Sequence, residues 1–255
     1  MALPDVLVAH LIDTIKSNDL SGRFAMLGRQ RWIGTRKGAS ARLLADTMAK
    51  YLPGVTEDAL HNADDAYSEA LFKVLGFSQV DSIDYSPFEG ASIVHDMTKK
   101  LPKELRGAFD VIYDGGTCEH IFELPKAYAN IDKALKPGGV LIGHSPCNNW
   151  INHGFYQICP EMIYGYWEKA RGYEVIDVIL QPFRPAVALK GVRTTNPNVT
   201  GVRPRLLGVL PENAPVMINY VVRKPLTKKK RGGGVYQTDY MNKWDDAEAG
   251  ADAEA

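Results

Sequence analysis

Residues 109–146, FDVIYDGGTCEHIFELPKAYANIDKALKPGGVLIGHSP, decide how the rest of the chain is read. The first six, FDVIYD, form a short apolar run closed by Asp114 and then by Gly115-Gly116, the pattern of a buried parallel strand ending in a tight turn. From Leu124 the apolar positions fall at Leu124, Ala127, Tyr128, Ile131, Ala134 and Leu135, a spacing of three and four that lays one oily stripe along a helix. Pro137-Gly138-Gly139 stops that helix, and residues 140–143 form a second apolar strand. Strand, helix and strand joined by such short connections predict a right-handed parallel crossover, hence half of an α/β sandwich.

Composition sets the outer limits. A chain of 255 residues with 45% hydrophobic content can bury one good core. Thirty basic and thirty acidic residues cancel, so no net field attracts nucleic acid. Cys118, Cys147 and Cys159 are odd in number and lack CxxC spacing, which argues against a disulfide framework and against a zinc site, and suits a reducing compartment. The apolar run near the start carries Asp5, His10 and Asp13 without a basic leader, and no stretch approaches the roughly 18 apolar residues of a membrane span, so the expectation is a cytoplasmic protein.

Working outward from the central unit, Leu7, Leu11, Ile12 and Ile15 share a helical face and predict a covering helix over residues 1–20. Residues 21–225 form one domain. Within it, residues 23–28 read as the first strand, 37–51 as a helix, 56–76 as a helical insertion, 80–84 as the second strand and 93–94 as a short third. Residues 173–180 and 216–222 are the last two. Between those two runs a long proline-rich connection, of the kind that is usually functional or disordered. Residues 226–255 comprise a basic linker and a low-complexity acidic tail, whose removal is expected to leave folding unchanged. The aromatic residues Tyr236, Tyr240 and Trp244 could anchor this end on the domain or on a second copy in a homo-oligomer.

A strand ending in Asp114, then Glu119-His120, an amphipathic helix and the LKPGG turn at residues 135–139 resemble the second half of a class I S-adenosylmethionine-dependent methyltransferase. The resemblance extends more faintly over residues 23–222. Together with NNWINHGFYQICPE at 148–161, it is similar to a bacterial branch associated with surface-polysaccharide genes. It implies a doubly wound, mostly parallel seven-stranded sheet, with S-adenosylmethionine as cofactor and a small-molecule or saccharide acceptor. O-methylation is the expected reaction, with polysaccharide biosynthesis as its setting. Carried onto this chain, the resemblance places the cofactor against Gly28, Gln30, Asp84, Asp96, Met97, Asp114 and Gly115. Asp84 has the place of the acid that accepts both ribose hydroxyls, and Asp96 that of the acid facing the adenine amine. The turn after the first strand, LGRQRWIG, has only Gly28 and Gly34 where the family is glycine-rich.

That departure keeps two other readings in play. One is a protein of the same fold that binds cofactor poorly and serves as a partner or scaffold. The other is a nicotinamide-dependent oxidoreductase, against which the missing GxGxxG counts. There is no GxxxxGK[ST] either.

Local chemistry supplies the remaining candidates. A hydroxyl acceptor must lose its proton as the methyl arrives, and histidine titrates nearest working pH. His153, in a loop rich in polar and aromatic residues, ranks first as base. His120 and Glu119 follow, with acid/base work, ligand contact and helix capping all open to that pair; a single Glu-His pair is a weak metal signal. His144 divides evenly between core and site. Asn149, Tyr156 and Gln157 flank His153 as acceptor contacts. Arg184, with Lys190, Arg193, Arg203 and Arg205, gives residues 181–215 a basic excess over Glu212 suited to an anionic acceptor.

Overall fold

The computed structural model describes residues 2–34, 37–183, 191–204, 206, 208–227 and 234–244. In chain order the elements are β1 (Ala2–Leu3), α1 (Asp5–Ser17), β2 (Gly22–Leu27), β3 (Arg31–Trp32), α2 (Gly38–Tyr51), α3 (Glu69–Val74), β4 (Phe77–Asp84), β5 (Ile93–Val94), β6 (Phe109–Asp114), α4 (Leu124–Ala134), β7 (Leu135–Asn148), β8 (Glu174–Pro182), β9 (Val192–Arg193), α5 (Pro197–Thr200) and β10 (Val216–Arg223). A π-helix, Met162–Ala170, lies between β7 and β8.

Among the described residues the main sheet has eight strands in the order β5-β4-β2-β6-β7-β10-β8-β9. It is mixed: β10 runs antiparallel to both β7 and β8, and β9 runs antiparallel to β8. The expected seven-stranded sheet is corrected in this respect, because β9 adds an edge within the long connection after β8. The other six strands share one direction, so the sheet is mostly parallel. Short β1 and β3 pair separately.

Period-two alternation along the central strands divides the core between the two faces. Ala25, Leu27 and Ile112 pack with α4 and the π-helix on one side. Phe24, Met26, Val111 and Tyr113 pack with α1, α2 and α3 on the other. α1 belongs to this second core: Leu11, Ile12 and Ile15 are fully buried, each contributing about 1.5–3 kcal/mol of transfer free energy.

Strand β7 is much longer than the expected residues 140–143. Its N-terminal end is the LKPGG turn itself. α4 ends at Ala134, Leu135 is already extended and pairs with Phe109, and Gly138 takes φ +78° where the strand bulges. Downstream, β10 matches it from Val140 to Asn148, so the antiparallel partner prolongs the strand past the point where apolar residues stop. Gly143 is required here, since a Cβ would meet the Tyr220 ring at 2.0 Å.

Beneath α1 runs a polar chain. The Tyr113 hydroxyl and His144 Nδ1 lie 2.9 Å apart, and His144 Nε2 lies 3.0 Å from His10 Nδ1. His144 is therefore a hydrogen-bonded core residue. Burial lowers its pKa well below the ordinary value, with His10 adding to the effect. Burial also lowers the pKa of His10, against the opposing charges of Asp177 and Asp13 and with a small further push from Arg193. Both imidazoles are neutral in the folded chain and take up protons on unfolding below about pH 6.5. Stability is thus expected to fall as pH drops through that value, by up to ~1.4 kcal/mol per pH unit per group. Urea midpoints of wild type and His144→Gln between pH 7.5 and 5.5 check this: the variant should lose less. Equal losses would show that the pair does not stay neutral.

The C-terminal stretch returns to the domain. Glu161 Oε1 accepts both the N–H and the hydroxyl of Thr238 at 2.6 Å, Thr238 is 2% exposed, and Arg203 pairs with Asp239 at 3.2 Å. Truncation after Gly234 is therefore expected to lower the melting temperature by several degrees, the equivalent of about 1–2 kcal/mol. An unchanged melting temperature would show that the docking contributes nothing. The acidic tail, residues 245–255, lies outside the described residues.

Candidate active site

The strand order reverses between β2 and β6, where Leu27 lies opposite Asp114. In open α/β sheets the crevice outside the carboxyl ends at such a reversal is the ligand site. Three loops meet there: residues 28–34, 115–123 and 149–157.

The first loop is compact. Gly28, at φ +67°, donates its N–H to the Ile83 carbonyl. Gln30 is fully buried and its amide nitrogen donates to the carbonyls of Leu27 and Gly28, while its Oε1 has no donor. β3 follows immediately and α2 begins only at Gly38. No helix N-terminus stands directly after β2.

The second loop is folded by Asp114. Its Oδ1 accepts the N–H groups of Thr117 and Cys118, at 2.9 and 3.2 Å, and its Oδ2 is buried without a partner. The Thr117 hydroxyl ties the turn to the Leu27 carbonyl. Gly115 is needed where it stands, since a Cβ there would lie 2.7 Å from Gln30 Oε1. The turn delivers Glu119 and His120 on a short 3-10 helix, Cys118–His120. Since α4 starts only at Leu124, neither residue caps it.

The third loop is clipped to the second. The Glu119 carbonyl accepts the N–H groups of Phe155 and Tyr156 at 2.8 and 3.2 Å. Gly154 permits this approach, because a Cβ would come within 2.9 Å of that carbonyl and 3.2 Å of His120 Nδ1. His153 is thereby set 3.8 Å from Glu119 Oε1, with its ring 5.0 Å from that of His120. The three side chains brought together are Glu119, His120 and His153. They border a cavity of about 310 Å3 shared with Gly115, Trp150 and Phe183.

Both oxygens of Glu119 are buried and without a hydrogen-bond donor. Burial, reinforced by the neighbouring Asp114, pushes its pKa up to about 8. Burial also raises the pKa of Asp114, against the hydrogen bonds it accepts from the Cys118 thiol and from backbone N–H groups. Burial and then Asp114 hold the Cys118 thiol well above its ordinary pKa, and burial pushes Cys147 up to about 12, so neither is a ready thiolate nucleophile. Burial, with the nearby His153, lowers the pKa of His120.

Several expected contacts have other partners. Gln157 Oε1 accepts the Trp150 N–H, the Tyr156 hydroxyl donates to the Phe122 carbonyl, and the Asn149 amide donates to the carbonyls of Glu212 and Ala214. These groups shape the loop that carries His153. Asp96 accepts the N–H and hydroxyl of Thr98, which lower its pKa, and Met97 packs in the core. Asp84, at the end of β4, accepts one 3.3 Å bond from Ser86 N–H among the described residues. Arg193 is held by Asp177 through two bonds and Arg203 by Asp239, which leaves less of the expected basic excess uncompensated. Arg184, Lys190 and Arg205 lie outside the described residues. Sequence reasoning missed Trp150, whose ring packs against His153 and Phe183, and Gly154, which acts through backbone geometry that no local pattern announces.

No protein-family model and no curated protein matches this chain. Solved structures of similar fold include a putative sarcosine dimethylglycine methyltransferase from Galdieria sulphuraria, at 10% identity and a TM-score of 0.43, covering 87% of this chain and 86% of that one. The N-methyltransferase NodS from Bradyrhizobium japonicum in complex with S-adenosyl-L-homocysteine matches at 11% identity and a TM-score of 0.41, with 85% of each chain covered. The [4+2]-cyclase SpnF matches at 15% identity and 0.43, covering 87% and 81%. At such identities, and at TM-scores below 0.5, these likenesses decide nothing about this chain's activity or cofactor. Among the described residues no helix is long and apolar enough to cross a membrane.

Proposed function

We propose that this protein is an S-adenosylmethionine-dependent methyltransferase acting on the hydroxyl of a small or sugar-like acceptor. The observation that carries the reading is the chemistry of the crevice at β2 and β6: Gln30 Oε1, Asp114 Oδ2 and both oxygens of Glu119 are buried acceptors without donors. A ligand that brings positive charge and N–H donors completes them; a pyrophosphate would be repelled, and it would also lack a helix N-terminus after β2 to receive it. This separates the reading from a nicotinamide-dependent oxidoreductase. The residues fit the cofactor: Gly28 and Gly115 allow close backbone approach, Gln30 Oε1 and Asp114 Oδ2 are acceptors without a protein donor, and Asp84 has acceptor capacity for a ribose diol.

When bound, S-adenosylmethionine supplies an electrophilic methyl group on a sulfonium, whose carbon–sulfur bond electrons remain on sulfur as the acceptor oxygen's lone pair takes the methyl. The chain's own part is positional and protolytic. His153 receives the hydroxyl proton, and Glu119 behind it stabilises the imidazolium. Trp150, packed edge-on to His153 and tilted against Phe183, walls the cavity with apolar surface suited to a sugar face. A bacterial surface-polysaccharide precursor, methylated in the cytoplasm, is the acceptor setting that the loop at residues 148–161 favours.

Calorimetric titration with S-adenosylhomocysteine and NAD side by side tests the reading. Binding of the first alone supports it. Binding of neither leaves the scaffold role suggested by the glycine-poor loop, and binding of NAD alone would replace it with the oxidoreductase.

A further inference from the structure

Glu119, His120 and His153 each offer one ligand atom, and these atoms all lie within 4.8 Å of one another. Two imidazoles and a carboxylate form the donor set of open zinc sites and of related late first-row divalent cations. A tetrahedral site with bonds of about 2.0–2.1 Å needs donors roughly 3.4 Å apart. Glu119 Oε1 and His153 Nε2 are already at 3.8 Å. The remaining adjustment is on the order of 1 Å, within reach of rotation about the side chains of His120 and His153, both exposed to the cavity.

A second observation points the same way. The Glu119 side chain is 1% exposed, and neither oxygen has a hydrogen-bond donor. Among the described residues no lysine or arginine pairs with it. A buried carboxyl in that condition is costly whether ionised or protonated, since even the protonated form leaves an O–H and a carbonyl unmet. A cation between it and the two imidazoles removes the cost at once. The backbone is arranged to hold the group together: Phe155 and Tyr156 fasten the His153 loop to the carbonyl of Glu119 itself, and Gly154 leaves room for it.

We propose that Glu119, His120 and His153 form a divalent-cation site of the zinc type, open on the side facing the cavity. Its use in catalysis rests on the methyltransferase reading. There the cation takes over the task given above to His153: it holds the acceptor's hydroxyl oxygen and weakens its hold on the proton, which leaves to solvent. The metal site itself stands without that reading.

The full chain, stripped with a chelator and dialysed, is titrated with Zn2+ by calorimetry and with Co2+ by visible absorption. The expected result is one equivalent per chain, with the intense ligand-field bands of a low-symmetry cobalt site. His153→Gln and His120→Asn, both at exposed positions, should each weaken Zn2+ binding at least about tenfold, and Glu119→Gln as well. Melting temperatures of the stripped proteins separate lost binding from lost folding. Stripped wild type that takes up neither ion, or histidine variants that bind as wild type does, overturns the proposal. S-adenosylhomocysteine is titrated into the same stripped sample: failure there, with Zn2+ uptake intact, removes the methyltransferase reading and leaves the metal site standing.

Discussion

Replacing His153 by Gln is expected to lower methyl-transfer turnover by about 10²–10⁴, the usual contribution of a positioned proton acceptor, while S-adenosylhomocysteine binds as it does to wild type. Glu119→Gln is expected to lower turnover by a similar factor. Both substitutions keep side-chain bulk. His153 lies on the surface of a loop whose own hydrogen bonds run through Phe155, Tyr156 and Gln157, so its loss should not release the loop. Glu119→Gln removes a carboxyl whose burial raises its pKa, and with it the group opposing a positive charge on His153. Tyr156→Phe sharpens the comparison, because its hydroxyl donates to the Phe122 carbonyl and orients the loop without facing the acceptor. It should cost far less. His153→Gln retaining more than half of wild-type turnover at saturating substrate would falsify the assignment.

The route from sequence to this site has a clear break in it. Residues 109–114 alternate toward two cores and end in a carboxylate, so both the strand and its position at the crevice are legible from the residues alone. The same holds for α4, whose apolar stripe at Leu124, Ala127, Tyr128 and Ile131 is fully buried. What local pattern could not give was the juxtaposition of Glu119 with His153. These lie on the loops that follow β6 and β7, and their meeting depends on a backbone carbonyl, a glycine and the length of β7, none of which has a periodic signature. For this reason Glu119-His120 reads as an isolated pair and a weak metal signal, although the fold supplies the third ligand atom.

A second gap concerns Asn149, Tyr156 and Gln157. A polar, aromatic loop reads as a binding surface, yet each of these side chains bonds to backbone: Gln157 to Trp150 within the loop, Tyr156 to Phe122 in the loop after β6, and Asn149 to Glu212 and Ala214 before β10. Carbonyl and N–H groups need partners wherever a loop leaves the sheet, and two of these three side chains supply them to segments distant in sequence, which no local pattern shows. α1 illustrates a different gap. Its stripe correctly predicts a helix, but the contact of His10 with His144 follows from the lie of that helix across β6 and β7, which amphipathic spacing alone does not fix.

The second large effect concerns cofactor affinity. Asp84→Ala is expected to weaken S-adenosylhomocysteine binding by tenfold or more. The carboxylate stands at the end of β4, one residue beyond Ile83, whose carbonyl receives the Gly28 N–H, so it borders the crevice next to the first loop. Its one side-chain bond among the described residues, a 3.3 Å contact from Ser86 N–H, is long for a charge-assisted interaction and leaves most of its acceptor capacity unused there. Two hydroxyl donors there are each worth about 1.5–3 kcal/mol, so removing both costs at most about 3–6 kcal/mol and, after partial replacement by water, no less than about tenfold. Asp96→Ala is the control. Its carboxylate already holds the N–H and hydroxyl of Thr98 in a local turn, so that variant should lower the melting temperature more than it lowers affinity. If Asp84→Ala binds S-adenosylhomocysteine as wild type does and loses only thermal stability, Asp84 does no more than close its own turn, and the ribose hydroxyls must find their acceptor elsewhere in the crevice.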